Sequence, residues 1–383
     1  MIVLAAAAWL AIAVLGYVFL GYWLLLGVLA LFATRTHGGR PPEEEGSAPL
    51  LTVLLTVYNE QAAVADRIRN ILSCRYPENR LEVLVASDGS TDGTDEEVGT
   101  FDEPRVRLFR PESRQGKTDT QNRAVETAKG EILLFTDADT RFDAGFLEAI
   151  VRPFSDPAVG GADGHLLFAR EQGDLVAESQ GIYWAQELSI RARESRLGCL
   201  AVATGACLAL RRALFRPMSA SVGEDCLIPL DVVRQGYRMV HVSGALAFDR
   251  MPSTPADELR TRARMTLRNW QGTWMYADLL NPLRHPRVAF ALWSHKILRW
   301  LSPLFLILWV AAGVASIGSP GFWGLPGWSA LLLVAAVALG GACEMCHVRL
   351  PVVGIAYSFG LANLGFLIGV GRALLGRKIS QYR

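Results

Sequence analysis

The segment EILLFTDADT (residues 131–140) runs apolar from Ile132 to Phe135 and then ends in two acids, Asp137 and Asp139, one residue apart. A buried strand that stops at a pair of like charges is opposed by both repulsion and desolvation, so something nearby must compensate. The neighbouring sequence supplies the context. LLTVLLTV (50–57), LEVLVAS (81–87) and RVRLF (105–109) carry the same strand signal, and helical stretches separate them, the first marked by Val64, Ile68 and Leu72. Strands alternating with helices predict a mostly parallel sheet covered on both faces. Ligands of such sheets bind beyond the carboxyl ends of the strands.

Three of those strand ends are acidic: VYNE (57–60), SDGSTDG (87–93) and DADT (137–140). Taken singly, SDGSTDG reads equally well as a helix N-cap, since Asp and Ser satisfy free backbone donors there. Convergence of all three at one edge calls for a countercharge, and a hard divalent cation with oxygen ligands provides it. Mg2+ or Mn2+ held by Asp137 and Asp139 takes its other ligands from phosphate and water, so the ligand is expected to carry phosphate. QGKTDTQN (115–122) agrees, with a glycine turn and Lys117 as a point charge for phosphate oxygens. It lacks the Walker spacing, and no Gly-x-Gly-x-x-Gly turn for a dinucleotide is present.

With 51% apolar residues among 383 and a positive mean hydropathy, part of the chain belongs in lipid. Residues 2–33 lack any charge and exceed the length of a bilayer span. Without the basic start of a signal peptide they read as an uncleaved anchor. Apolar segments follow at about 301–317, 328–343 and 352–371. TRTHGGR (34–40), LRHPR (283–287) and HKILR (295–299) are basic, which puts both ends of the central domain on the cytoplasmic side of a cell (plasma) membrane. The tail RALLGRKISQYR (372–383) is basic too. Three spans after a cytoplasmic domain would leave it outside, so either one segment is re-entrant or the charge rule fails there. A net charge of +1 with basic residues near membrane ends gives no nucleic-acid stripe. Six scattered cysteines form no disulfide framework. CEMCH (343–347) has the haem-attachment spacing, but its short loop leaves no room for a macrocycle.

LTVLLTVYNE, VASDGSTDGT, GKTDTQNRAVETAKGEILLFTDADT, TGACLALRR and GEDCLIPLDVVRQGY occur in the order seen in membrane-bound family 2 glycosyltransferases, and residues 50–300 resemble them. The resemblance implies an α/β, Rossmann-like GT-A domain that binds a nucleotide-sugar, flanked by N- and C-terminal transmembrane helices. It also implies an inverting, metal-dependent transfer from a nucleotide-diphosphate sugar such as a UDP-sugar to a membrane-associated lipid or glycan acceptor. Tyr58, Glu60 and Asp88 would hold base and ribose, Asp137 and Asp139 the metal and diphosphate, and Asp225, preceded by Glu224, would be the catalytic base. The expected organisation is an anchor (1–33), a linker (34–49), the GT-A domain (50–250), interfacial helices (251–300), C-terminal spans (301–375) and a basic tail (376–383).

The chain departs from the pattern at RTRARMTLRNWQGTW (260–274), which lacks the Gln-x-x-Arg-Trp of processive members. Arg268 and Trp270 fit either diphosphate and acceptor contacts or an amphipathic helix at the lipid headgroups. A processive exopolysaccharide synthase and an inactive membrane scaffold are the alternatives. A haloacid-dehalogenase-type phosphotransferase is disfavoured because Arg141 stands where Thr or Val is needed.

Overall fold

The structure, a computed structural model, describes residues 1–33, 48–169, 175–250, 254–346, 348 and 350–377. Most of the expected linker (34–47), His347 and the final stretch of the basic tail (378–383) lie outside the described residues.

Helix α1 (Ile2–Gly16) passes through a π-helical turn (Tyr17–Gly21) into α2 (Tyr22–Leu31). The α/β region begins with β1 (Leu51–Val57), α3 (Gln61–Leu72), β2 (Leu81–Ser87), α4 (Thr94–Gly99), β3 (Val106–Phe109), α5 (Lys117–Thr127) and β4 (Ile132–Thr136). It continues with β5 (Arg141–Phe142), α6 (Phe146–Val151), β6 (Val159–Ala169), α7 (Leu175–Leu197), β7 (Leu208–Arg211), α8 (Glu224–Arg234) and β8 (Arg238–Arg250). Helices complete the chain: α9 (Pro255–Met275), α10 (Pro286–Ala291), a π-helical turn (Leu292–Ile297), α11 (Leu298–Trp300), α12 (Ser302–Ala315), α13 (Leu325–Met345) and α14 (Pro351–Leu374).

The eight strands form one sheet in the order β3-β2-β1-β4-β7-β6-β8-β5. Pairings among β3, β2, β1 and β4, and between β6 and β8, are parallel; β7 and β5 pair antiparallel. The α/β expectation of a mostly parallel sheet therefore holds, with a mixed outer half. Every residue of β1, β2 and β4 is buried, which their continuous β-branched and leucine runs permit only if both faces are covered. Leu54, Leu84 and Phe135 point to a core shared with Ala124 of α5 and Leu227 of α8. Val53, Val83 and Leu134 point the other way, to Ile68 of α3 and Phe146 of α6. Because the strand order reverses between β1 and β4, the crevice at their carboxyl ends is the place where such sheets bind ligands.

Among the described residues, three helical stretches are long and apolar enough to cross a membrane: Ile2–Leu31, Gly321–Met345 and Val352–Leu374. Pro286–Trp300 and Ser302–Ala315 add a fourth candidate only as a pair, bent by 53°. The expected straight span at 301–317 is thus a shorter helix set at an angle, with Pro303 just past the bend. The N-terminal helix is tied to α7 by polar contacts: Tyr22 donates to Glu194 Oε1 at 2.7 Å and Trp23 to Ser189 Oγ at 3.1 Å.

Candidate active site

The crevice is built from four loop ends. β1 leads into Tyr58 and Glu60, whose backbone N–H donates to Thr94 Oγ1 at 2.9 Å. The Arg114 guanidinium lies 3.7 Å over the Tyr58 ring. At the end of β2, Asp88 is buried and accepts three hydrogen bonds through Oδ1, from Gln115 N at 2.8 Å, Gly116 N at 3.0 Å and Thr120 Oγ1 at 2.8 Å. This carboxylate therefore anchors the loop that delivers Lys117 to the first turn of α5.

At the end of β4, Ala138 is buried while Asp137 is half-buried and Asp139 exposed. Lys117 Nζ sits 2.6 Å from Asp137 Oδ1 and 2.6 Å from Glu224 Oε1, so one ammonium joins the end of β4 to the start of α8. Burial disfavours the Glu224 carboxylate, but Lys117, with a backbone hydrogen bond and Arg268, outweighs it and holds the group below the usual glutamate range. Asp137 moves the other way: burial raises it, Glu224 and Asp139 add repulsion, and Lys117 offsets only part. Glu60 is raised by burial and then by Asp139, Asp92 and Asp137. Glu60, Asp137, Asp139 and Glu224 are thus close enough to one another for their carboxylates to repel, with Lys117 set between Asp137 and Glu224.

Asp225 follows Glu224 in the first turn of α8. Burial raises its carboxyl first, and repulsion from Glu224 adds to this, against attraction by Arg268. Two glycines make room for the acid pair. A Cβ at Gly205 would lie 2.8 Å from Glu224 Oε1, and one at Gly223 would lie 2.4 Å from Asp225 Oδ1 and 3.3 Å from Arg268 Nη2. Arg268 of α9 is buried beside this pair, whereas Trp270 packs its ring against Trp274 and Trp300 at 5.9 and 6.0 Å. Of the two, only Arg268 reaches the neighbourhood of Asp225.

A cavity of about 310 Å³ adjoins Asp225 and Gly205 and extends between α7, α9, α11 and α14. Its walls are mainly apolar, with Trp184, Trp300 and Phe366 among them.

Among the described residues, no three His, Cys, Asp or Glu side chains converge as a ready cation cage. Asp137 and Asp139 nonetheless fit a divalent cation of the kind bound by two carboxylates and completed by phosphate and water. They stand one residue apart at the end of β4 and both repel the Glu60 carboxylate, as oxygen ligands gathered for a cation would.

One supporting residue was missed at the sequence level. Arg67 of α3 is fully buried; its Nε donates to the Asp137 carbonyl at 3.1 Å and its Nη2 to Thr136 Oγ1 at 2.7 Å. Thr136 in turn donates to the Ala206 carbonyl at 2.8 Å, and the Arg67 guanidinium lies 4.0 Å over the Phe142 ring. Burial pushes Arg67 down to about 9. The available signal was a lone cation on the apolar stripe of Val64, Ile68 and Ile71.

A sheet of this order, with an acidic crevice at its switch point and apolar helices at both ends of the chain, has the architecture of a GT-A glycosyltransferase. Residues 52–218 match the family described as Glycosyl transferase family 2; the chain carries that family's domain and is a sugar-transferring glycosyltransferase. An N-acetylglucosaminyltransferase of Mesorhizobium japonicum is 27% identical over 319 residues, covering 79% of this chain and 73% of the relative. Another, from Neorhizobium galegae, is 23% identical over 368 residues, covering 90% and 83%. The mannosyltransferase PcManGT from Pyrobaculum calidifontis, solved in complex with GDP-Man and Mn2+, shares the fold with a TM-score of 0.73 at 22% identity, over 98% of this chain and 100% of that one.

Proposed function

We propose that this chain is an inverting, metal-dependent glycosyltransferase that moves a sugar from a nucleotide-diphosphate donor to a membrane-associated acceptor, in glycolipid or polysaccharide synthesis. The observation that carries this reading is the Lys117 bridge. It joins Asp137, at the donor side of the crevice, to Glu224, whose neighbour Asp225 lines the adjoining cavity.

In this reading Tyr58, Glu60 and Asp88 frame the base and ribose. Asp137 and Asp139 hold Mg2+ or Mn2+, which when bound neutralises the charge that develops on the departing diphosphate. Lys117 lies within reach of the same phosphate oxygens, and Arg268 adds a second cation beside Asp225. Asp225 accepts the proton of the acceptor hydroxyl while that oxygen bonds to the anomeric carbon from the face opposite the diphosphate. The bond from that carbon to the diphosphate oxygen breaks with its electron pair on the leaving group, so the configuration inverts. The raised carboxyl of Asp225 suits it to accept a proton.

The names of the relatives make N-acetylglucosamine the first sugar to test, supplied here on UDP, and the complex of the fold neighbour makes GDP-mannose the comparison arm. Three membrane-length helices support residence in a membrane, and the basic flanks support a plasma membrane with the catalytic domain cytoplasmic. A re-entrant bent pair at 286–315 would return the basic tail to that side. The missing Gln-x-x-Arg-Trp weighs against processive synthesis. Full-length protein supplied with Mn2+ and either donor should hydrolyse one of them, and Asp139→Ala and Asp225→Asn should each abolish turnover. Full turnover in both variants would refute these site assignments.

A further inference from the structure

The cavity next to Asp225 is lined by two unlike sets of side chains. Along α9, Glu258, Arg262 and Asn269 face it at helical spacing. Arg262 Nη2 donates to Glu258 Oε1 at 2.8 Å, and this pairing leaves Glu258 Oε2 and Arg262 Nε, together with Asn269 Oδ1, buried without a hydrogen-bond partner in the protein. Buried polar atoms are ordinarily satisfied, so three such atoms on one wall point to a ligand that brings both donors and acceptors. Trp184, Trp300 and Phe366 supply apolar lining to the same cavity, with the Arg262 guanidinium 5.7 Å over the Phe366 ring, and this surface suits a hydrocarbon chain.

The position of α9 adds a third observation. Gly365 and Gly369 of α14 bring that membrane-length helix against it: a Cβ at Gly365 would lie 3.1 Å from Arg262 Cβ, and one at Gly369 would lie 2.5 Å from Thr266 Cβ. The polar stripe of α9 is therefore held directly against a helix with the length and composition to lie in lipid.

Resting on the transferase reading above, we propose that the acceptor is a single membrane lipid with a hydroxylated head, and that Glu258, Arg262 and Asn269 select it. The head lies along α9 with one hydroxyl reaching Asp225, and the tail lies against Trp184, Trp300 and Phe366. A growing polysaccharide is not the acceptor.

The test uses full-length protein in bilayer discs of phosphatidylcholine, which has no hydroxyl to glycosylate, with Mn2+ and radiolabelled UDP-N-acetylglucosamine or GDP-mannose. Two probes share one sugar head: monoglucosyl diacylglycerol in the disc and methyl glucoside in solution. Label should enter the glucolipid and not the methyl glucoside. Asn269→Leu, which removes an orphaned acceptor, and Met265→Trp, which fills the cavity from a half-exposed position, should each lower lipid transfer relative to donor hydrolysis by about tenfold. Equal use of methyl glucoside, a labelled water-soluble polymer, donor hydrolysis without labelled lipid, or an unchanged ratio in both variants overturns the inference while leaving the transferase reading intact. Neither hydrolysis nor transfer by the unmodified protein overturns both.

Discussion

Gly223 leaves the room that the Asp225 carboxylate occupies: a Cβ on residue 223 would collide with Asp225 Oδ1, and the carboxylate would have to move. The glycine is the space in which the proposed base sits. Gly223→Ala should therefore push the carboxylate out of line, lowering kcat by about 100-fold, the loss expected for a displacement near 1 Å. Donor KM should hardly change, because the nucleotide side of the crevice is untouched. Steady-state kinetics separates the two; an unaltered kcat would show that the carboxylate has no positional duty.

Asp225 also predicts a pH dependence. Its carboxyl is raised by burial and then by Glu224, so the ionised base disappears at a pH above the usual aspartate range, near 3.9. The acid limb of kcat/KM should lie above that value and move to lower pH in Glu224→Gln, which removes a repelling charge. For stability the sign is the reverse of a salt-bridged aspartate: a raised carboxyl costs nothing below its unfolded pKa, and the cost grows as pH rises through that value to the folded one. Asp225→Asn should accordingly be inactive yet melt no lower than the parent at neutral pH, which thermal unfolding in detergent measures.

Arg67 should behave as a support for the end of β4. Arg67→Met leaves the Asp137 carbonyl without its donor and should destabilise the protein by about 2–4 kcal/mol, in the range for breaking a buried hydrogen-bonded charge. Arg67→Lys should rescue little, since an ammonium cannot reproduce a planar fork that serves Asp137, Thr136 and Asn70 together. Parallel melting curves and donor KM values check this. Full recovery in the lysine variant would reduce Arg67 to a simple charge.

The metal should bind weakly without nucleotide. Asp137 and Asp139 offer two carboxylates, and among the described residues no third acidic, histidine or cysteine ligand completes a cage. Calorimetry should detect Mn2+ association only weakly with protein alone and far more tightly once UDP is present, because diphosphate oxygens supply further ligands. Chelation should stop turnover without lowering the melting temperature. Tight nucleotide-free binding would point to ligands elsewhere.

How much of this was legible in the sequence depends on how local each signal is. The strand ends at Asp88 and Asp137 could be aligned on one edge because continuous apolar runs and intervening helices specify a parallel arrangement. The antiparallel return of β7 could not, since nothing local in LALR sets its partner. Lys117 was readable as a phosphate-directed cation, but not its hold on Glu224, which lies more than a hundred residues away. Trp270, left open between a binding and an interfacial role, packs among other tryptophans. Trp184, Asn269 and Phe366 meet around one cavity only because four helices fold together, and no short motif encodes such a meeting. The bend before α12 lies at Leu301–Pro303, where hydropathy alone reads a continuous segment.

The bond from Tyr22 to Glu194 means that the first helix is more than a tether. Its phenol fills a fully enclosed seat on α7, so a fragment trimmed to begin at the sheet would bare Ile190 and leave that glutamate short of a donor. Preparations meant to keep the native catalytic unit should retain the leading helix and accept the need for detergent.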